Sequence, residues 1–297
     1  MLPLPRQPLD PIKLADWLEL NALLAPDRNS SSGDLISALI TSGLLDGAGR
    51  DAVDRKSLDV FNELERRAQA AESAYPFSID GGLVTFANNW NGHAPYIFCL
   101  CLSYFGWEPT QRSRIFPRRL FEFLACDVAK NYVKGSALRF ASPRQGIPSG
   151  FGNAITRLCL EFIKEGKGFR SQPTLNRQDD AVDIVAWAEF PDCLSGKILM
   201  FGNCASGDDW EGKVTDLQPS VFCSQWMIEP PSSEIHRALF IPHRIDKLRW
   251  DYYTRRAGVI FDRCRMAYWA GQLPHSNAYD SRSALLWAKT VLRGAAN

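Results

Sequence analysis

Helical and extended periods follow one another along this chain in a definite order. Over 12–25, IKLADWLELNALLA brings Leu14, Trp17, Leu18 and Leu24 to neighbouring positions on a helix, and Pro8 and Pro11 bar an earlier start. NSSSGDLISALITSGLL then offers a polar, cap-like run ahead of Leu35, Ile36, Leu39 and Ile40, with Gly43 to end a second helix. A third is expected over 58–74, where LDVFNELERRAQAAESA is rich in helix formers and sets Glu63 and Glu65 ahead of Arg66 and Arg67. FSIDGGLVTF alternates about Asp80-Gly81-Gly82, a hairpin pattern. IFCLCLSYFGW, over 97–107, is too short to span a bilayer and predicts a core helix.

The second half changes character. Phe121, Leu124, Ala125, Val128, Ala129 and Tyr132 recur at helical spacing up to Gly135, and the short ALRFA reads as a strand. A further helix puts Ile155, Leu158, Cys159, Phe162 and Ile163 on one face, with Glu161 and Glu165 beside it. AVDIVAW and KILMFGN then read as two strands joined by a turn through Pro191, Asp192, Ser195 and Gly196. GDDWEGKV reads as a capped helix start, FCSQWM and HRALFIPHRI as strands, and ALLWAKTVL as a closing helix. The pattern predicts an α/β chain of two units: a mostly helical domain with one small hairpin over 1–110, and an α/β domain with a helical C-terminal extension over 111–297.

Composition narrows the classes. A formal net charge of +1 over 297 residues excludes a strongly basic whole-chain field, so nucleic-acid binding would have to come from local patches. Eight cysteines without a CxxC pair or neighbouring histidines argue against structural zinc and for reduced, mostly buried thiols. No leader-like segment or apolar run of spanning length is evident, which points to a cytoplasmic protein without a membrane partner.

The candidate chemistry lies in 177–213. Asp183 is flanked by Val182, Ile184 and Val185, which favour a buried strand, where a carboxylate is costly without a partner. Asn203 ends the next strand. Hairpin-linked strands lie side by side, so an acid on one and an amide on its neighbour can converge on one hard cation.

At these residues the chain resembles the PD-(D/E)XK nuclease superfamily, and its Mrr-like restriction-endonuclease branch in particular. The resemblance covers roughly 115–245: a glutamate-bearing helix, then DDAVDIVAW with Asp183 at the position of the metal-binding aspartate, then FGNCASG with Asn203 where that branch has glutamine. It implies a restriction-endonuclease-like mixed sheet flanked by helices. It also implies hydrolysis of DNA phosphodiesters with Mg²⁺, or Mn²⁺ in its place, held by Asp183, Asn203 and Glu161. The superfamily's lysine two residues on is Ala205 here; in some members that lysine has moved to the following helix, a role Lys213 fits. Lys213 also suits a plain surface pair with Asp209 at helical spacing.

Further contacts are suggested by the cationic residues. His243 and Arg244 fall at a strand end, and Arg255 and Arg256 lie in RWDYYTRRAGVIFDRCRMAYWA, where arginines interleave with aromatics as on a nucleic-acid surface or a protein interface. Arg112, Arg114, Arg118 and Arg119 read either as solvated helix-entry charge or as a phosphate patch. The family's habits imply the effector of a bacterial anti-phage defence system, with DNA and a protein such as an ATPase as partners, and are compatible with a homo-oligomer. Two alternatives stay open: a catalytically inactive nuclease-fold subunit that binds DNA or scaffolds a defence complex, and a different α/β fold in which Asp183 is a strand-edge acid.

Overall fold

The computed structural model describes residues 1–5, 7, 9–44, 50–107, 115–171, 180–272 and 279–296. Helix α1 (Pro11–Leu24) starts where Asp10 accepts the Ile12 amide and Pro11 takes the first helical position. It is buried on every side from Leu14 to Leu23, Asp16 and Glu19 included, which makes it a central helix rather than a surface one. β1 (Asn29–Ser31) leads through a Ser31–Asp34 capping box into α2 (Ser32–Thr41), and α3 (Arg50–Ala71) follows. β2 (Phe77–Asp80) and β3 (Leu83–Phe86) form the expected hairpin, Gly81 and Gly82 both taking positive φ, and β1 pairs on the far side of β3. α4 (Ala94–Phe105) is the apolar core helix, ended by Gly106 at φ 78°.

α5 (Pro117–Val133) runs straight into β4 (Ser136–Arg139). α6 (Phe151–Arg157) continues as a π-turn over Leu158–Phe162 and is followed by β5 (Lys167–Phe169). β6 (Ile184–Ala188) and β7 (Ile198–Cys204) are the paired central strands. A single 3-10 turn, Trp210–Lys213, stands where a capped helix is expected, since Asp209 makes no side-chain cap. Next comes α7 (Pro219–Trp226), not a strand: Pro219 opens it and Phe222, Cys223 and Trp226 recur at helical spacing on its buried face. β8 (Met227–Glu229) pairs with β5 as a small ribbon. β9 (Ile235–Phe240), α8 (Trp250–Ala257), β10 (Val259–Phe261), α9 (Arg263–Ala270) and α10 (Ser281–Ala296) complete the chain.

The main sheet has the order β10-β9-β7-β6-β4. β4 pairs antiparallel with β6 and β6 with β7, while β7, β9 and β10 run parallel. Helices cover both faces, so the fold is mixed α/β around a five-stranded mixed sheet. Alternate strand residues feed opposite sides. Ile184, Ala186, Met200 and Phe240 pack with α5, α4 and α1 on one face, and Val185, Trp187, Leu199 and Phe201 pack with α6 and α7 on the other. A third cluster joins Leu239 and Ile241 to Trp210, Val214 and Tyr253.

The division expected near residue 110 falls in 108–114, outside the described residues. On either side of it one hydrophobic core is shared, with Trp17 and Phe98 in the same cluster as Phe121, Met200 and Trp287. An ionic network crosses the same boundary. Arg67 of α3 meets Asp16, Glu19 and Glu63 at 2.8, 2.8 and 2.9 Å. Arg263 binds Asp16, Arg244 binds Asp262 and Glu63, and the hydroxyls of Tyr75 and Tyr96 donate to Glu19. Three buried arginines stand against four buried acids, the pairing that burying charge requires, although Asp16 Oδ2 and the Arg263 Nε and Nη1 atoms make no hydrogen bond.

Candidate functional site

Asp183 is gripped just before β6. Its amide donates to the Gly202 carbonyl at 2.9 Å, and its own carbonyl accepts from the amides of Phe140 and Ala141. The approach is strained: Asp180 and Ala181 both have positive φ, 48° and 66°, and for alanine that conformation costs about 1 kcal/mol or more. The chain bears this cost while the Trp226 indole donates to Asp180 and Val182 is buried in the core. Thus fixed, Asp183 turns its carboxylate to the carboxyl end of β7, where Oδ2 accepts the Cys204 amide at 2.7 Å. That amide belongs to the peptide bond following Asn203, so Asp183 meets the backbone beyond Asn203 and not its side chain. Asn203 is buried, and strand alternation sets it on the Phe201 face while Cys204 lies on the α5 face.

The helical glutamate of this site is not the expected one. Glu161 is exposed on the π-turn and pairs with Arg157 at 2.6 Å, because Leu158 and Cys159 take the buried side of that turn. Glu122 of α5 stands nearer: burial, then the charges of Asp183 and Glu122, push the Cys204 thiol well above its ordinary value. Arg139 on β4 holds Glu122, its Nε 2.7 Å from Oε2, and is itself anchored on the carbonyls of Ala141 and Pro143. The missed signal lies in the order of elements. α5 feeds β4, which pairs with β6, so a glutamate early in α5 is delivered to the Asp183 end of the sheet.

Lys213 lies on the 3-10 turn with Nζ 3.2 Å from Asp209, the surface pair that its spacing also allowed. A hydrogen bond from Lys213 holds the Asp209 carboxyl below its ordinary range, and Arg118, one turn before Glu122 on α5, acts in the same direction. Lys213 therefore borders the head of the helix that carries Glu122. The other lysine of this region, Lys197, is buried with Nζ on the Ile163 carbonyl at 3.0 Å.

Two expected phosphate contacts are turned inward. His243 is buried, with Nδ1 2.9 Å from the Ser103 hydroxyl and Nε2 3.0 Å from the Gly207 carbonyl; burial pushes its pKa down to about 4. Arg244 is buried and bound to Asp262 and Glu63. Neither side chain faces a surface where a phosphate backbone could reach it, because their partners arrive from distant helices. Arg255 and Arg256 are exposed on α8. Arg118 stacks on Trp107 at 4.9 Å at the head of α5; Arg112 and Arg114 lie outside the described residues.

Among the described residues no three His, Cys, Asp or Glu side chains converge on one point. A closed protein cage for a cation is therefore not what this end of the sheet offers. Mg²⁺ needs only one or two carboxylates when water and substrate phosphate complete its shell. Two carboxylates, Asp183 and Glu122, both acting on Cys204, fit an open site of that kind, while the Asn203 side chain lies on the other face of β7. Among the described residues no helix is long and apolar enough to cross a membrane. Nothing matches this chain in comparisons with protein-family models, curated proteins or solved structures.

Proposed function

We propose that the chain is a metal-dependent DNA endonuclease with a restriction-endonuclease-like fold. The observation that supports this reading is the placement of two carboxylates, Asp183 and Glu122, around Cys204 at the carboxyl end of β7. The element order supports it too: a glutamate-bearing helix, an antiparallel run of three strands, and a parallel fourth strand beyond the polar turn. Asp183 and Glu122 would hold Mg²⁺ or Mn²⁺, with the Asn203 amide on the other face of β7, and the bound ion would supply the charge that polarises a phosphoryl oxygen and acidifies a water. Asn203 in place of an acid leaves the site one charge poorer, so DNA phosphate completes the shell. Lys213 keeps an ammonium beside the head of α5 for the phosphate, exchanging Asp209 for it. Arg118, Arg119, Arg255 and Arg256 supply local positive charge that the near-neutral chain otherwise lacks. The defence role and the ATPase partner rest on the sequence resemblance alone.

The test is cleavage of supercoiled plasmid with Mg²⁺. Asp183→Asn and Glu122→Gln are expected to lose about a hundredfold or more in rate, in line with removing a group that stabilises transition-state charge. Lys213→Ala loses activity and Glu161→Gln cuts like the parent. Equal cutting by the parent and Asp183→Asn overturns the reading.

A second reading is favoured by Arg139 and Ala205. The guanidinium already neutralises Glu122, and a buried alanine fills the family's lysine position. On that reading the chain binds DNA or scaffolds a complex without cutting, and the parent shifts DNA in a gel with no nicking under any divalent ion.

A further inference from the structure

A cleft of about 530 Å³ opens between the 3-10 turn after β7 and helix α8. One wall is the segment that holds Glu211 and Val214, and the other carries Arg249, Tyr252, Tyr253 and Arg256. Its size suits a small organic ligand.

Three features of its lining define what it would take. First, Tyr253 is 2% exposed and its hydroxyl has no hydrogen-bond partner. Glu211 acts on it electrostatically, but the geometry between them falls short of a hydrogen bond, and Arg249 holds both Glu211 oxygens, at 3.0 and 2.9 Å. A buried donor left unpaired is costly, and here it borders an open cleft. Second, the Arg256 guanidinium lies 3.6 Å over the Tyr252 ring and donates to the Tyr252 carbonyl at 3.2 Å, which holds it flat at the rim. Among the described residues no carboxylate comes within ion-pair distance of it, so its charge is uncompensated. Third, Leu248 is 92% exposed and Tyr252 53% exposed, so flat apolar surface stands beside the cation.

A free guanidinium, an unpaired hydroxyl donor and exposed aromatic and aliphatic surface call for an anion joined to a flat, weakly polar body. We propose that this cleft binds a nucleoside phosphate, with its phosphate on Arg256 and the Tyr253 hydroxyl and its base against Tyr252 and Leu248. A free mononucleotide and the 5′-phosphorylated end of a DNA strand share that chemistry. The proposal shares only Arg256 with the nuclease reading and needs neither Asp183 nor a metal.

Titration calorimetry of the full chain without divalent ions tests it. The probes are 5′-AMP, adenosine, inorganic phosphate, a tetraglutamate peptide, and hexathymidylate with and without a 5′-phosphate. 5′-AMP is expected to bind, with adenosine and phosphate each weaker by about tenfold or more. Arg256→Gln, an exposed change, weakens 5′-AMP about tenfold, and Tyr253→Phe about fivefold at unchanged Tm. Phosphorylated hexathymidylate binding more tightly than 5′-AMP identifies a strand end as the occupant, and the reverse order identifies a free nucleotide. Absence of heat with both 5′-AMP and phosphorylated hexathymidylate at millimolar concentration overturns the proposal. So does unchanged affinity in Arg256→Gln, or tetraglutamate binding as tightly as 5′-AMP, which points to an acidic protein partner instead.

Discussion

Replacing Arg67 by methionine keeps most of the side chain's length and removes the cation at the centre of the buried network. Arg67 has no exposed side-chain surface, and it alone reaches Asp16, Glu19 and Glu63 together, with Nη2 also donating to the Ile12 carbonyl at 2.9 Å. Once it is gone, Asp16 keeps Arg263, and Glu63 keeps Arg66 and Arg244. Glu19 keeps two tyrosine hydroxyls and a cation only at 3.9 Å, so it becomes the stranded charge. Removing one partner of a buried ion pair costs about 3–5 kcal/mol, and the stranding of Glu19 argues for the upper part of that range. Against a typical total of about 5–15 kcal/mol, a third or more of the stability disappears. In urea at pH 7, with tryptophan fluorescence as the signal, the midpoint should fall by roughly 1–2 M at unchanged slope. A loss below about 1 kcal/mol would refute the picture of a dry, mutually dependent network.

Acid should narrow that gap. Burial pushes the Asp16 carboxyl up, but Arg263 and then Arg67 outweigh it and hold it at about 2 against an ordinary 3.8. A carboxyl depressed in the folded state stabilises above its unfolded pKa, by about 2 kcal/mol here, and loses that contribution as pH falls from 3.8 toward 2. Glu63 is displaced the same way: burial pushes it up, and Arg67, Arg244 and Arg66 pull it below its ordinary range. Methionine at 67 weakens both shifts, so the parent has more to lose on acidification than the variant. Parallel stability curves for the two proteins between pH 5 and pH 2 would contradict the assignment.

Two further outcomes follow from the sheet and its border. His243 has its folded pKa lowered from 6.5 to about 4, so the unfolded chain binds the extra proton between those values, and stability falls as pH drops from 6.5 to 4 by up to about 3 kcal/mol. His243→Gln should flatten that limb in pH-dependent urea melts, and an unchanged slope would mean that the imidazole is wetter than its surroundings suggest. Gly202→Ala puts a Cβ 2.5 Å from the Phe240 ring, which is stacked on Phe261 at 4.7 Å and has little room to yield. A cost of about 1–3 kcal/mol is expected in thermal melts, and a neutral variant would show that this stack gives way.

How far the sequence revealed this molecule depends on how local each determinant is. The β2–β3 hairpin, α5 and the β6–β7 pair are written in spacing and turn residues within a few positions, and each lies where its pattern puts it. α7 was misread as a strand because six residues of FCSQWM suit either period; its helical signal begins outside that window, at Pro219, and depends on the Phe222–Trp226 interval. The site shows the same boundary. Asp183 and the backbone after Asn203 meet because a hairpin joins their strands, and the hairpin is legible. Glu122 reaches them through the pairing of β4 with β6, whose partners lie 45 residues or more apart, so Glu161, closer in sequence to Asp183, took its place in the reading. His243 and Arg244 look like surface groups at a strand end, and only Ser103, Glu63 and Asp262, two of them on helices far earlier in the chain, make them interior. A charge is read as exposed by default because its compensating partner is a long-range fact. The inward pair at 243–244 and the outward pair at 255–256 carry the same local signature, and the difference between a structural cation and a ligand-binding one lies in whether the fold has already supplied the anion. By that criterion Arg256 is left for a ligand and Arg244 is not.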